Sequence, residues 1–109
     1  MKQIYQTLKG FRDFLPADKR ARDYVGNKIK ESFQLFGFEP LETPTLEYAE
    51  LLTGKYGDEA DKLLYTFTDR GERKVGLRYD QTVPTARVLA QYQDQLGKGF
   101  RRYQIQPVF

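Results

Sequence analysis

Two prolines, Pro40 and Pro44 in the stretch FEPLETPTLE, constrain this chain more than any other feature. Proline lacks a backbone N–H and its ring clashes with the preceding helical turn, so no helix interior can run through residues 38–47. A helical pattern must therefore end before them and a different one begin after. The pattern that ends is clear. From Pro16 to Phe36 the apolar residues Ala21, Val25, Ile29, Phe33 and Phe36 recur at helical spacing, while Lys19, Arg20, Arg22, Lys28 and Lys30 mostly fall off that stripe. Pro16 suits a first helical turn and Gly37 a stop. A helix of this length spans roughly 31 Å. Its stripe is expected to pack in a core, with a dimer contact as the sharper alternative. Residues 1–15 are expected to form an extended arm.

Beyond Gly37, Phe38, Leu41 and Leu46 predict an extended edge strand interrupted at Pro40 and Pro44. A short helix is expected over Glu47–Leu52, then a loop, TGKYGDEAD. LLYTFTD and KVGLRYD predict two strands joined through a turn at DRGE, where Gly71 is the turn residue; Tyr65–Thr68 pairs with Lys74–Tyr79. Thr82–Gln95 predicts a helix with Pro84 in its first turn, Asp80 or Thr82 as its cap, and Val83, Ala86, Leu89 and Ala90 on one face. Gly97-Lys98-Gly99 breaks it, and RRYQIQPVF alternates like a strand. This order implies an α+β domain with a mainly antiparallel sheet, incomplete because its last strand runs to the end of the chain.

The 109 residues suit one domain or part of one. Eight Tyr and eight Phe argue against disorder. With no cysteine and no histidine, thiolate chemistry, disulfides, a Ser-His-Asp triad and a His-ligated zinc site are excluded for these residues. No apolar run approaches the ~20 residues of a membrane span, and the N-terminus has no secretory h-region. A net charge of +3 permits an RNA partner without arguing for one. Asp58, Glu59 and Asp61 are read as a polar loop, because nothing nearby completes a metal shell. Arg101, Arg102 and Tyr103 are read as a solvated strand face. Arg78 could pair with Asp80 or with a phosphate, and a surface or hairpin salt bridge is the preferred reading.

Several ordered segments resemble one family. GFEPLETPTL is similar to motif 1 of class II aminoacyl-tRNA synthetases, with Gly37, Phe38, Leu41 and Pro44 at the motif positions and Thr45 where the family prefers an apolar residue. KGFRDFLP resembles the opening of histidyl-tRNA synthetases, YTFTDRGERKVGLRYDQTVPTARVLAQY their hairpin and following helix, and FRRYQIQPVF the strand that leads into motif 2. The resemblance covers nearly the whole chain. It implies motif 1 over about 16–46, the hairpin and amino-acid-site segment over about 64–95, and the start of the motif 2 strand over 100–109.

The resemblance also implies function. The parent enzyme would activate histidine with ATP and Mg²⁺ and transfer it to tRNA(His), as a cytoplasmic homodimer with no membrane attachment. Asp80 and Thr82 match the family positions that hold the histidine α-amino group; a carboxylate beside an ammonium gives a charge-assisted hydrogen bond. Gly37, Phe38, Leu41 and Pro44 would belong to the dimer interface. The arginine that grips the ATP α-phosphate would follow Phe109. This chain alone is therefore expected to be inactive, with no catalytic residue or metal ligand of its own and no tightly bound cofactor. Two non-catalytic relatives are alternatives: the regulatory subunit of ATP phosphoribosyltransferase and, more weakly, the histidyl-like domain of certain kinases.

Overall fold

A computed structural model describes residues 4–56 and 60–109. The chain divides into two compact units, Met1–Gly37 and Phe38–Phe109.

The first unit is an extended arm followed by α1 (Pro16–Leu35). Pro16 stands at the helix start, as its missing N–H allows. Gly37 ends the helix at φ +80°, a conformation that costs an L side chain strain, and its N–H bonds Gln34 O at 3.1 Å. The arm is tied to α1 by Phe14, whose ring lies under the guanidinium carbons of Arg12 (4.6 Å) and Arg22 (3.9 Å). The expectation that the apolar stripe of α1 packs in a core is not met among the described residues. No α1 residue is buried, and Val25, Ile29 and Phe36 are 56%, 45% and 70% exposed. Helical spacing reports which residues share a face; it does not report what covers that face.

The second unit holds two small sheets. β2 (Leu46–Tyr48), β4 (Lys74–Leu77) and β3 (Thr66–Thr68) form an antiparallel sheet in that order, so the expected hairpin gains a third strand on its far side. β1 (Glu39–Pro40) pairs in parallel with β5 (Arg102–Tyr103), the one parallel ladder among the described residues. Pro40 does not interrupt β1, because the donors facing β5 come from its neighbours. Glu39 N–H bonds Arg101 O at 2.7 Å and Leu41 N–H bonds Tyr103 O at 3.1 Å, so the proline points its missing donor away. The pairing ends there, and Gln104–Phe109 continues past β5 without a strand partner.

Helix α2 (Ala49–Tyr56) starts later and ends later than expected, because Glu47 and Tyr48 are claimed by β2; residues 57–59 of the expected loop lie outside the described residues. A short α3 (Ala60–Leu63) follows. The expected helix from Thr82 is split at Tyr92 into α4 (Thr82–Gln91) and α5 (Gln93–Leu96). Its buried face is Val83, Pro84 and Val88, while Leu89 is 43% exposed and Ala86 and Ala90 are exposed. The core is Leu52 from α2, Leu64 and Val83, with Leu51 against it. Leu52 packs so closely on β4 that a Cβ at Gly76 would sit 3.0 Å from Leu52 Cδ1 and 3.2 Å from Tyr65 O, so a side chain at that strand position would crowd both neighbours.

The hairpin turn is built by Asp69. Its Oδ1 accepts the N–H groups of Gly71 (3.0 Å) and Arg73 (2.9 Å), and its Oδ2 accepts Arg73 Nε (2.9 Å). These bonds, the Arg73 backbone N–H first, hold the Asp69 carboxyl below its ordinary pKa. Gly71 lies in this turn as expected, and the residue with positive φ is Glu72 (+62°). A type I turn followed by one left-handed residue is a standard three-residue hairpin loop, and here the left-handed place is the one after the glycine.

Candidate amino-acid site

Three segments distant in sequence meet at one place in the second unit: residues 43–45 after β1, residues 78–85 at the start of α4, and residues 104–109 after β5. Arg78 is their centre. It is 1% exposed. Its Nη1 donates to Thr43 O (3.0 Å) and Pro44 O (2.9 Å), and its Nε donates to Pro107 O (2.7 Å). Its own N–H donates to Thr45 O (3.3 Å), and its carbonyl accepts Phe109 N–H (2.9 Å). The salt bridge expected for Arg78 is thus replaced by carbonyl dipoles. A planar fork of donors suits that task, since each N–H has a fixed direction.

A network of amides and hydroxyls closes the same junction. Gln106 Nε2 donates to Thr43 O (2.8 Å), and Gln106 Oε1 accepts Thr43 N–H (3.1 Å). Gln104 Nε2 donates to Thr43 Oγ1 (2.9 Å) and to Gln106 Oε1. Gln81 Nε2 reaches Gln106 O (3.1 Å), and Thr85 Oγ1 bonds both Gln81 O (2.6 Å) and Gln104 Oε1 (3.2 Å). Gln81 Oε1 is a buried acceptor with no hydrogen-bond partner among the described residues.

Asp80 and Thr82 stand on the turn that this junction holds, between Arg78 and α4. Asp80 is half-buried, and its Oδ1 accepts Thr82 N–H at 3.1 Å. Gln81 occupies the N-cap position, so the expected capping comes from Asp80 one residue earlier. Thr82 is exposed. The two residues share one turn, and its carboxylate and hydroxyl are of the right kind to meet an ammonium group. On the far side of α4, Arg87 Nε pairs with the buried Glu47 carboxylate of β2 (3.0 Å), and Arg87 Nη1 donates to Gln91 Oε1 (2.9 Å). A charge pair this sheltered is less screened than one in open water.

Of the four motif 1 positions, Pro44 joins the junction through its carbonyl, and Leu41 is placed by its bond to Tyr103. Phe38 is half-buried, and Gly37 belongs to the first unit. Asp58 and Glu59 lie outside the described residues. Sequence reasoning singled out Arg78 but expected a salt bridge for it, and it missed Thr43 and the glutamines. One signal was present: in RRYQIQPVF the polar Gln104 and Gln106 alternate with Ile105, and here the glutamines turn inward while Ile105 is 50% exposed.

The chain as a whole has known relatives. A profile of the family described as histidyl-tRNA synthetase matches residues 10–104. The chain belongs to the histidyl-tRNA synthetase family. It is 53% identical over 104 residues to the histidine–tRNA ligase of Rhodopirellula baltica and 49% identical to that of Wolinella succinogenes, covering 95% of this chain and 24% of each relative. The histidyl-tRNA synthetase of Nostoc sp. PCC 7120 superimposes with a TM-score of 0.84 at 35% identity, over 97% of this chain and 25% of that one. A Bacillus halodurans protein titled as an ATP phosphoribosyltransferase regulatory subunit/histidyl-tRNA synthetase also gives 0.84, at 28% identity over 100% of this chain and 28% of that one. The chain thus spans about a quarter of the length of its curated relatives.

Proposed function

We propose that these 109 residues are the N-terminal part of the catalytic domain of a histidine–tRNA ligase. The parent enzyme activates histidine with ATP and esterifies tRNA(His). The observation that carries this reading is the 53% identity over 104 residues to a histidine–tRNA ligase, with the site turn inside the matched stretch. In this reading the Asp80 carboxylate accepts hydrogen bonds from the histidine ammonium, and the Thr82 hydroxyl offers a second acceptor. Mg²⁺ and the ATP phosphates are assigned to no residue of this chain. The parent is a cytoplasmic homodimer, and motif 1, including Gly37, Phe38, Leu41 and Pro44, contributes to its interface. Support for that contact comes from the exposed apolar residues of α1. Among the described residues no helix is long and apolar enough to cross a membrane.

The test is histidine-dependent ATP–pyrophosphate exchange, measured on the 109-residue chain and on the same chain joined at Phe109 to the segments that follow in the Rhodopirellula relative. Exchange is expected only in the joined protein, and Asp80→Asn in it should raise the KM for histidine about 10–100-fold. Exchange in the short chain would overturn the assignment of the remaining groups to later segments. The Bacillus halodurans likeness makes a non-catalytic histidine-sensing subunit the second reading, and exchange in neither protein would favour it.

A further inference from the structure

The apolar face of α1, the groove between Tyr48, Thr53, Phe67 and Lys74 beside the hairpin and the buried junction around Arg78 are three places that the fold leaves to be explained. The junction carries the furthest inference. We propose that Arg78 is a positioning residue, whose buried guanidinium sets the Asp80–Thr82 turn in register with the segment that runs through Phe109. This deepens the synthetase reading and rests on it.

Asp80 is two residues from Arg78, and the segment ending at Phe109 is bound to Arg78 twice, through Pro107 O to Nε and through the Phe109 N–H to the Arg78 carbonyl. The same side chain bonds Thr43 O and Pro44 O. One rigid plane thus fixes three segments, and movement of any one changes the bonds to the other two. A lysine ammonium is a single compact centre and lacks the separate, fixed Nε and Nη1 donors that here divide Pro107 O from Thr43 O and Pro44 O. The glutamine network cannot substitute, because it meets the C-terminal segment at Gln104 and Gln106 and stops short of Pro107 and Phe109.

A residue acting this way has a kinetic signature. Asp80 and Thr82 travel together on their turn, so loss of Arg78 leaves their joint hold on an ammonium largely intact. What is lost is the alignment of that turn with groups carried by the other segment. In the joined protein, Arg78→Lys is therefore expected to lower kcat of pyrophosphate exchange about 100-fold per titrated active site, with the KM for histidine moved less than about fivefold. A purely structural role would lower the number of active sites and leave kcat per site unchanged. A kcat per site within about threefold of wild type would overturn the proposal.

Hydrogen exchange supplies a reading that needs no activity. Arg78→Lys should speed exchange of the Phe109 and Thr43 amides and leave that of the β4 amide of Val75 unchanged. Equal protection at Phe109 in both proteins, or loss spread evenly over all three amides, would overturn the proposal. If the wild-type joined protein shows no pyrophosphate exchange, the synthetase reading fails and the amide result alone decides for or against Arg78. If Arg78→Lys does not fold, Gln106→Leu loosens the same junction from its other side. It should lower kcat per site in the same direction, by about 10-fold, and no change would count against the proposal.

Discussion

Among the described residues, the ion pairs of the first unit join near neighbours in sequence: Arg12 to Asp18, Lys19 to Asp23 and Lys28 to Glu31. The second unit is tied across long stretches of chain. Arg78 reaches Thr43, Pro44 and Pro107, Gln106 reaches Thr43, and Arg87 reaches Glu47. Local, exposed pairs contribute little each and shape only the helix that bears them. Long-range bonds made in a buried place leave orphaned carbonyls when broken, and so they set the geometry of a whole region. The two units should accordingly respond very differently to the same kind of damage.

The largest effect is expected at the junction. Arg78→Met strands three carbonyls and should lower stability by about 4 kcal/mol, read from urea unfolding followed by amide signals of the second unit. A loss below about 1 kcal/mol would mean that water replaces the guanidinium at little cost, and the contrast between the units would collapse. Next comes Leu52→Ala in the small core, expected to cost about 3 kcal/mol.

A gain of about 1 kcal/mol is expected from Glu72→Gly, which relieves a left-handed backbone on a non-glycine residue. The same turn has a pH test. The Asp69 carboxyl has a lowered pKa in the folded chain, so the stability it contributes is complete above the ordinary Asp value of about 4 and is lost as pH falls through the lowered one. Amide protection at Gly71 and Arg73 should follow that titration and be absent at all pH in Asp69→Ala. The smallest effect belongs to α1. Val25→Ala, at a residue 56% exposed, should change stability of the isolated chain by less than about 0.5 kcal/mol. A cost comparable to that of Leu52→Ala would show that the α1 stripe is covered after all.

The same contrast explains what could be read from the amino-acid order. Both ends of α1 were legible, because Pro16 and Gly37 act within one turn of themselves. The hairpin was legible from its two β-rich runs and the turn between them, although nothing in the order of residues marked Glu72 as the left-handed one. An extended edge strand through Leu46 was expected too, but its pairing with β4 was not legible, since β2 is only three residues long and its partner lies about thirty positions away. At the site, Asp80 and Thr82 were found through family resemblance, and spacing alone offered a cap as readily. Arg78 was read as half of a surface or hairpin salt bridge because nothing local distinguishes an ion-paired arginine from one that has drawn three carbonyls around itself. The buried face of α4 was misjudged for a related reason. Val83 with Ala86 and Ala90 is as good a helical stripe as Val83 with Pro84 and Val88, and only the position of Leu52 and Leu64 decides between them.

Pro40 gives the small parallel sheet a direction of growth. In a strand, the N–H and C=O of one residue point to the same side. Glu39 and Leu41 spend theirs toward β5, so the outward rung of β1 belongs to Pro40, which has an oxygen to offer and no hydrogen. A strand arriving on that flank would find a half-finished ladder, whereas one arriving beyond β5 would meet the intact peptide groups of Arg102. A strand added at β1 would therefore form fewer hydrogen bonds than its length allows, because the proline withholds one donor.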